Sequence, residues 1–244
     1  MRLAVLETDR QSPAQLPRFG SLTEMMAQWL APAVPGLDAV AVDVTIPNRR
    51  LPDPAGFDGL VITGSRASSY DPEPWIPPFQ AWLRAAHAEG RPILGICFGH
   101  QILAQALGGR VARRGWRVGL ERIRASGPLI TESEGRDTPD GGTILAHVWH
   151  QDQVTRAPAG ARVLAAYPGC HLGALGYGRQ AITLQWHPEY PADFMSEILA
   201  AEGPACLPAP LLRAATASLG TDHAGPARSS ACMARAAAAF LGWR

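Results

Sequence analysis

The chain has 244 residues, 47% hydrophobic and 18% charged, with a formal net charge of +1. That balance supplies a sizeable core and argues against an electrostatic nucleic-acid binder. No apolar run reaches the length of a membrane span, and the four cysteines (Cys97, Cys170, Cys206, Cys232) lack C-x-x-C spacing and paired histidine ligands, against a zinc site.

The length fits one α/β domain over residues 1–244, with 190–244 as a C-terminal helical extension. Residues 3–7 read as a buried strand rather than a signal peptide, so a cytoplasmic protein is expected. Residues 8–19 are a polar, proline-containing loop. Residues 21–30 are a helix opened by a capping box, Ser21 with Glu24. Strands follow at 39–44 and 59–63, joined by a proline-rich connection. The alternation of strand and helix predicts a mostly parallel central sheet with helices on both faces.

The third strand ends in Thr63-Gly64-Ser65-Arg66-Ala67-Ser68-Ser69-Tyr70-Asp71. A small-residue loop at the carboxyl end of a parallel strand is where such sheets bind ligands, although the same composition also suits a plain surface turn. Arg66 reads either as a solvated surface charge or as a partner for a substrate carboxylate. Residues 74–88 form a helix whose stripe of Trp75, Phe79, Trp82 and Leu83 is core packing.

Residues 92–96 are a short buried strand and 99–107 a helix, with Cys97 at the corner between them. Gly95 and Gly99 flank it and let strand and helix pass closely. The first N–H groups of a helix favour negative charge, and the thiolate is the reactive form of cysteine. The arrangement follows the logic of the Gly-x-Ser-x-Gly elbow, with sulfur in place of oxygen.

Residues 109–124 and 142–148 read as antiparallel strands around a polar loop at 126–141. His147, His150 and Asp152 lie close together, but no fourth ligand is spaced for a metal. Strands follow at 163–166, 172–178 and 181–186, the last running into His187-Pro188-Glu189. A cysteine nucleophile needs a base, and the base an orienting group; His187 and Glu189 supply both. Helices are predicted at 192–201 and 229–241, with the pattern between them undetermined.

Leu-Gly-Ile-Cys-Phe-Gly-His-Gln (94–101) and Leu-Gln-Trp-His-Pro-Glu-Tyr (184–190), with the Cys and His 90 residues apart, together resemble the motifs of class I glutamine amidotransferases. The nearest likeness is to the free-standing, GMP-synthase-like branch that includes γ-glutamyl peptidases. The resemblance implies a flavodoxin-like sheet with a small antiparallel extension, and a triad of Cys97, His187 and Glu189. It implies an oxyanion hole at Gly64, Ser65 and the N–H of Phe98. It also implies that Gln101 and the segment from Trp149 and His150 to Val154 line a glutamine pocket. No cofactor and no metal are expected.

The function so implied is cleavage of the γ-glutamyl amide of glutamine through a thioester on Cys97. One alternative is a free-standing γ-glutamyl peptidase acting on a larger substrate. Another, of a different class, is a non-catalytic binding protein on the same fold. The 54 residues after Tyr190 are too few for a synthase domain, so any ammonia acceptor is expected on a separate synthase subunit.

Overall fold

The computed structural model describes residues 1–129, 142–220 and 224–243. Among them nine strands form one sheet in the order β2-β1-β3-β4-β9-β8-β7-β5-β6. Its parallel part comprises β1 (Arg2–Glu7), β2 (Asp38–Asp43), β3 (Gly59–Ile62), β4 (Ile93–Ile96) and β9 (Ala181–Leu184). Its antiparallel part comprises β5 (Arg110–Ala125), β6 (Thr143–Arg156), β7 (Ala161–Tyr167) and β8 (Cys170–Tyr177).

The parallel strands are buried on both faces, as their nearly continuous apolar runs require. Leu3, Val5, Val61, Leu94, Ile96, Ile182 and Leu184 point into one core, while Ala4, Leu6, Leu60, Ile62, Ile93 and Ala181 point into the other. The first core is closed by α2 (Leu22–Leu30) and α8 (Ala224–Leu241), the second by α3 (Ile76–Ala88) and α4 (Phe98–Ala106). The predicted capping box holds α2: Glu24 N–H donates to Ser21 Oγ at 3.2 Å, and Ser21 N–H to the Glu24 carboxylate at 2.7 Å. Trp243 lies so close to Gly59 that a Cβ there would sit 2.6 Å from its ring, which locks the end of the chain under β3.

Several boundaries differ from expectation. The loop at 8–19 contains a short helix, α1 (Leu16–Phe19). The strand expected to end at Val148 continues to Arg156, so the expected pocket segment is strand. Most of the polar loop, residues 130–141, lies outside the described residues. The undetermined stretch after α5 (Ala192–Ala201) forms α6 (Gly203–Cys206) and α7 (Ala209–Leu219), with prolines in the first turn of each. The last helix begins at Ala224 rather than at residue 229. No helix of the described residues is long and apolar enough to cross a membrane.

Candidate active site

Strands β4 and β9 are parallel neighbours, with Ile96 beside Leu184, so the segments leaving both strands emerge at the same end of the sheet. After β4 the chain turns at Cys97, which has φ 50° and ψ −98° and is the N-cap of α4. A non-glycine residue at positive φ is uncommon and costs energy that the surroundings must supply. The flanking glycines are required by contact: a Cβ on Gly99 would lie 2.5 Å from the Ile62 carbonyl oxygen, and one on Gly95 would lie 2.7 Å from the Gly99 backbone. Gly99 N–H donates to Thr63 O at 3.2 Å, which ties the start of α4 to the loop after β3.

After β9, the His187 N–H donates to His147 O at 2.9 Å, so β6 holds the backbone of the His-Pro-Glu segment. His187 Nδ1 donates to Glu189 Oε1 at 2.7 Å, and the imidazole and the Cys97 side chain both lie against Gly64. With Nδ1 engaged by the carboxylate, the opposite ring nitrogen is left for sulfur. The ring stacks on Tyr190 with centroids 4.0 Å apart. Burial alone would suppress the charge on His187, but the negative charges of Glu189 and Cys97 outweigh it and raise the imidazole to about 10. Gly64 leaves room for this ring, since a Cβ there would lie 2.9 Å from His187 Cε1.

These residues open onto a cleft of about 680 Å³ whose lining includes Gly64, Ser65, Gln101, Trp149, His150 and Asp152. The site residues expected from sequence are therefore brought together, with Phe98 as the first residue of α4 behind Cys97. His150 lines the wall with both ring nitrogens engaged. Nδ1 donates to Asp152 O at 3.1 Å and Nε2 accepts from Tyr167 OH at 2.7 Å. Burial pushes its imidazole down to about 3, so it remains neutral. Arg66 is not a free surface charge: its Nε donates to Asp9 at 3.0 Å and its Nη2 to Arg10 O at 2.7 Å. It pins the loop after β1 to the loop after β3.

Two residues of the site lie in segments singled out from the sequence but carry no role of their own there. The Asp152 carboxylate is buried and accepts from Ser68 Oγ and, at 3.0 Å, from Tyr70 OH. In sequence it is visible as part of an incomplete metal ligand set and of the segment that the resemblance places along the pocket; among the described residues no group of His, Cys, Asp and Glu could hold a metal ion. The other is Gln185, fully buried between Leu184 and Trp186, whose Nε2 lies 3.6 Å from Cys97 Sγ. Its place in the 184–190 motif, as a polar side chain between two apolar ones, is the available signal.

Residues 19–201 match the model of the "glutamine amidotransferase class-I" family. The chain belongs to this family. Among curated relatives it is 32% identical to γ-glutamyl peptidase 5 of Arabidopsis thaliana over 59% of this chain and 58% of the relative. It is 38% identical to a glutamine-hydrolysing GMP synthase of Parafrankia sp. over 53% of this chain and 23% of the relative. The chain thus spans less than two thirds of the length of these relatives. The fold is that of a solved glutamine amidotransferase from Thermotoga maritima, with TM-score 0.69 and 18% identity over 98% of this chain and 97% of that one. A second, from Methylobacillus flagellatus, gives TM-score 0.71 and 20% identity over 99% and 94%.

Proposed function

We propose that this class-I amidotransferase family member hydrolyses γ-glutamyl amides with Cys97 as nucleophile, His187 as acid and base, and Glu189 as the group that orients His187. The reading rests on one observation: an imidazole held by a carboxylate at 2.7 Å lines the same cleft as an elbow cysteine. The thiolate attacks the side-chain carbonyl carbon. The C–N bond then breaks, and imidazolium gives its proton to the departing nitrogen. Water enters, His187 takes its proton, and hydroxide displaces sulfur from the thioester to release glutamate. The oxyanion is met by the Phe98 N–H, one of the first-turn amides without a partner inside the helix, and by a backbone N–H of the Gly64–Ser65 loop. Gln101, Trp149 and Asp152 hold the amino-acid end of the substrate, with the Asp152 carboxylate facing its α-ammonium.

Cleft size favours a substrate larger than glutamine. About 680 Å³ lies within the range of sites that enclose drug-sized ligands, well beyond one amino acid. A γ-glutamyl peptidase, active without a partner, uses that space; an amidotransferase subunit waits for a synthase to receive its ammonia. The test is kcat/KM of the isolated protein for glutamine and for a γ-glutamyl dipeptide. Turnover of the dipeptide at least equal to that of glutamine supports the peptidase. Glutamine turnover that appears only with a second protein supports the subunit, and no turnover under any condition overturns both.

A further inference from the structure

Around the Cys97 sulfur lie a carbonyl, Trp149 O at 3.8 Å, and the side-chain amide of Gln185 at 3.6 Å, with the His187 imidazole in the same cleft. A carbonyl suits the neutral thiol, which has a hydrogen to donate; a thiolate has none and needs donors. Burial makes those donors matter, because a charged sulfur with 6% of its residue exposed has little water to replace them.

The two ends of a glutamine amide differ in role, and the surrounding network decides which end points where. Here the network begins at an atom with no choice. Asp152 O, a backbone carbonyl, only accepts, and Gln101 Nε2 donates to it at 2.9 Å. The same Nε2 donates to Gln185 Oε1 at 3.2 Å. With its oxygen committed there, Gln185 turns its NH₂ toward Cys97 Sγ. Flipping Gln185 alone would set two amide nitrogens against each other, and flipping both would set an oxygen against Asp152 O. Strand geometry fixes the rest: Gln185 N–H donates to Gly173 O at 2.8 Å, and Cys97 N–H to Leu184 O at 2.7 Å.

We infer that Gln185 is a positioning residue that keeps a second donor, beside His187, on the Cys97 sulfur, with its orientation imposed by Gln101 and the Asp152 carbonyl. This rests on the reading of Cys97 as nucleophile. It makes Gln101 do two things: line the cleft and polarise the amide behind the sulfur.

The test uses iodoacetamide alkylation of Cys97, mapped by mass spectrometry across pH, which needs no substrate. Gln185→Met keeps the volume and removes the donor; Gln185→Glu keeps the shape and presents an oxygen to sulfur. Loss of one weak hydrogen bond to a charged group predicts alkylation about three- to tenfold slower at pH 7 in Gln185→Met. Gln185→Glu slows it further, and the pH midpoint of alkylation moves up in both. With a γ-glutamyl substrate, kcat falls while KM holds. Gln101→Met produces the same shift, and the double variant with Gln185→Met adds little to it. Alkylation profiles that superimpose on wild type in a folded variant overturn the inference; if Gln185→Met does not fold, Gln185→Glu decides. Alkylation of other thiols in preference to Cys97 in the wild type overturns the nucleophile assignment itself, a different failure.

Discussion

The ends of β4 and β9 lie side by side, yet they hold their chemistry by different means. At β4 the backbone does it. Cys97 sits at φ 50° because Gly95 and Gly99 bring strand, helix and β3 into contact that no side chain could enter. At β9 side chains do it. His187 is held by Glu189, stacked on Tyr190 and tethered through its backbone to β6. The C-terminal helix adds a brace: Ser230 Oγ donates to Pro188 O, and Trp29 Nε1 donates to Ser230 O at 3.0 Å. Changes at the glycines of the first end therefore act on the fold, while a change at Glu189 at the second acts on the chemistry.

Glu189→Gln separates the two most sharply. It leaves the elbow untouched but removes the carboxylate that orients and charges His187, so kcat is expected to fall about 10³- to 10⁴-fold with the fold retained by circular dichroism. Because the triad acts as a unit, adding Cys97→Ala should cost little beyond Cys97→Ala alone. Additive losses would break the comparison.

Gly99→Ala is the converse. Its Cβ would meet the Ile62 carbonyl oxygen at 2.5 Å, a backbone atom that cannot swing aside. A stability loss of about 3 kcal/mol or more is expected in urea denaturation, and near-wild-type stability would show that the elbow relaxes.

Protonation sharpens the comparison further. Burial holds His100 and His150 down at about 3, whereas Glu189 and Cys97 outweigh burial and hold His187 up at about 10. The depressed pair contributes stability above their unfolded value, near 6.5, that is lost as pH falls toward 3. His187 contributes stability below 6.5 that is lost as pH rises to about 10. The unfolding free energy should therefore drop by roughly 2–3 kcal/mol per pH unit on the acid side, where these two histidines bind a proton only when unfolded, and fall again as pH approaches about 10, where His187 loses its proton. A curve flat from about pH 4 to about pH 9.5 would contradict the charge states.

Smallest is Ser230→Ala, which removes the brace on Pro188. About 1 kcal/mol of stability and a less than threefold drop in kcat are expected, measured by thermal unfolding and steady-state kinetics. A large kcat effect would mean that α8 takes part in the chemistry.

The same contrast explains what could be read from the sequence. The elbow was legible because its causes are local: two glycines, a buried strand and a helix start within a few residues. The parallel strands were legible because both of their faces are apolar. The continuation of β6 to Arg156 was not, because His150, Asp152 and Gln153 are buried polar residues, the first two in the wall of the cleft, and they break the alternation of a strand. Helices α6 and α7 were obscured by Pro204 and Pro210, which break a helix in its interior but begin these two. Gln185 and Asp152 depend on partners 84 to 88 residues away in sequence, Ser68 and Cys97, and no local pattern carries that.

The central claim is that Cys97 carries the γ-glutamyl group. The most direct measurement is peptide mapping by mass spectrometry after acid quench of the protein turning over a γ-glutamyl dipeptide. The expected result is a γ-glutamyl adduct on Cys97 that is absent, together with all turnover, in Cys97→Ala. An adduct on Cys206, or turnover that persists in Cys97→Ala, would contradict it.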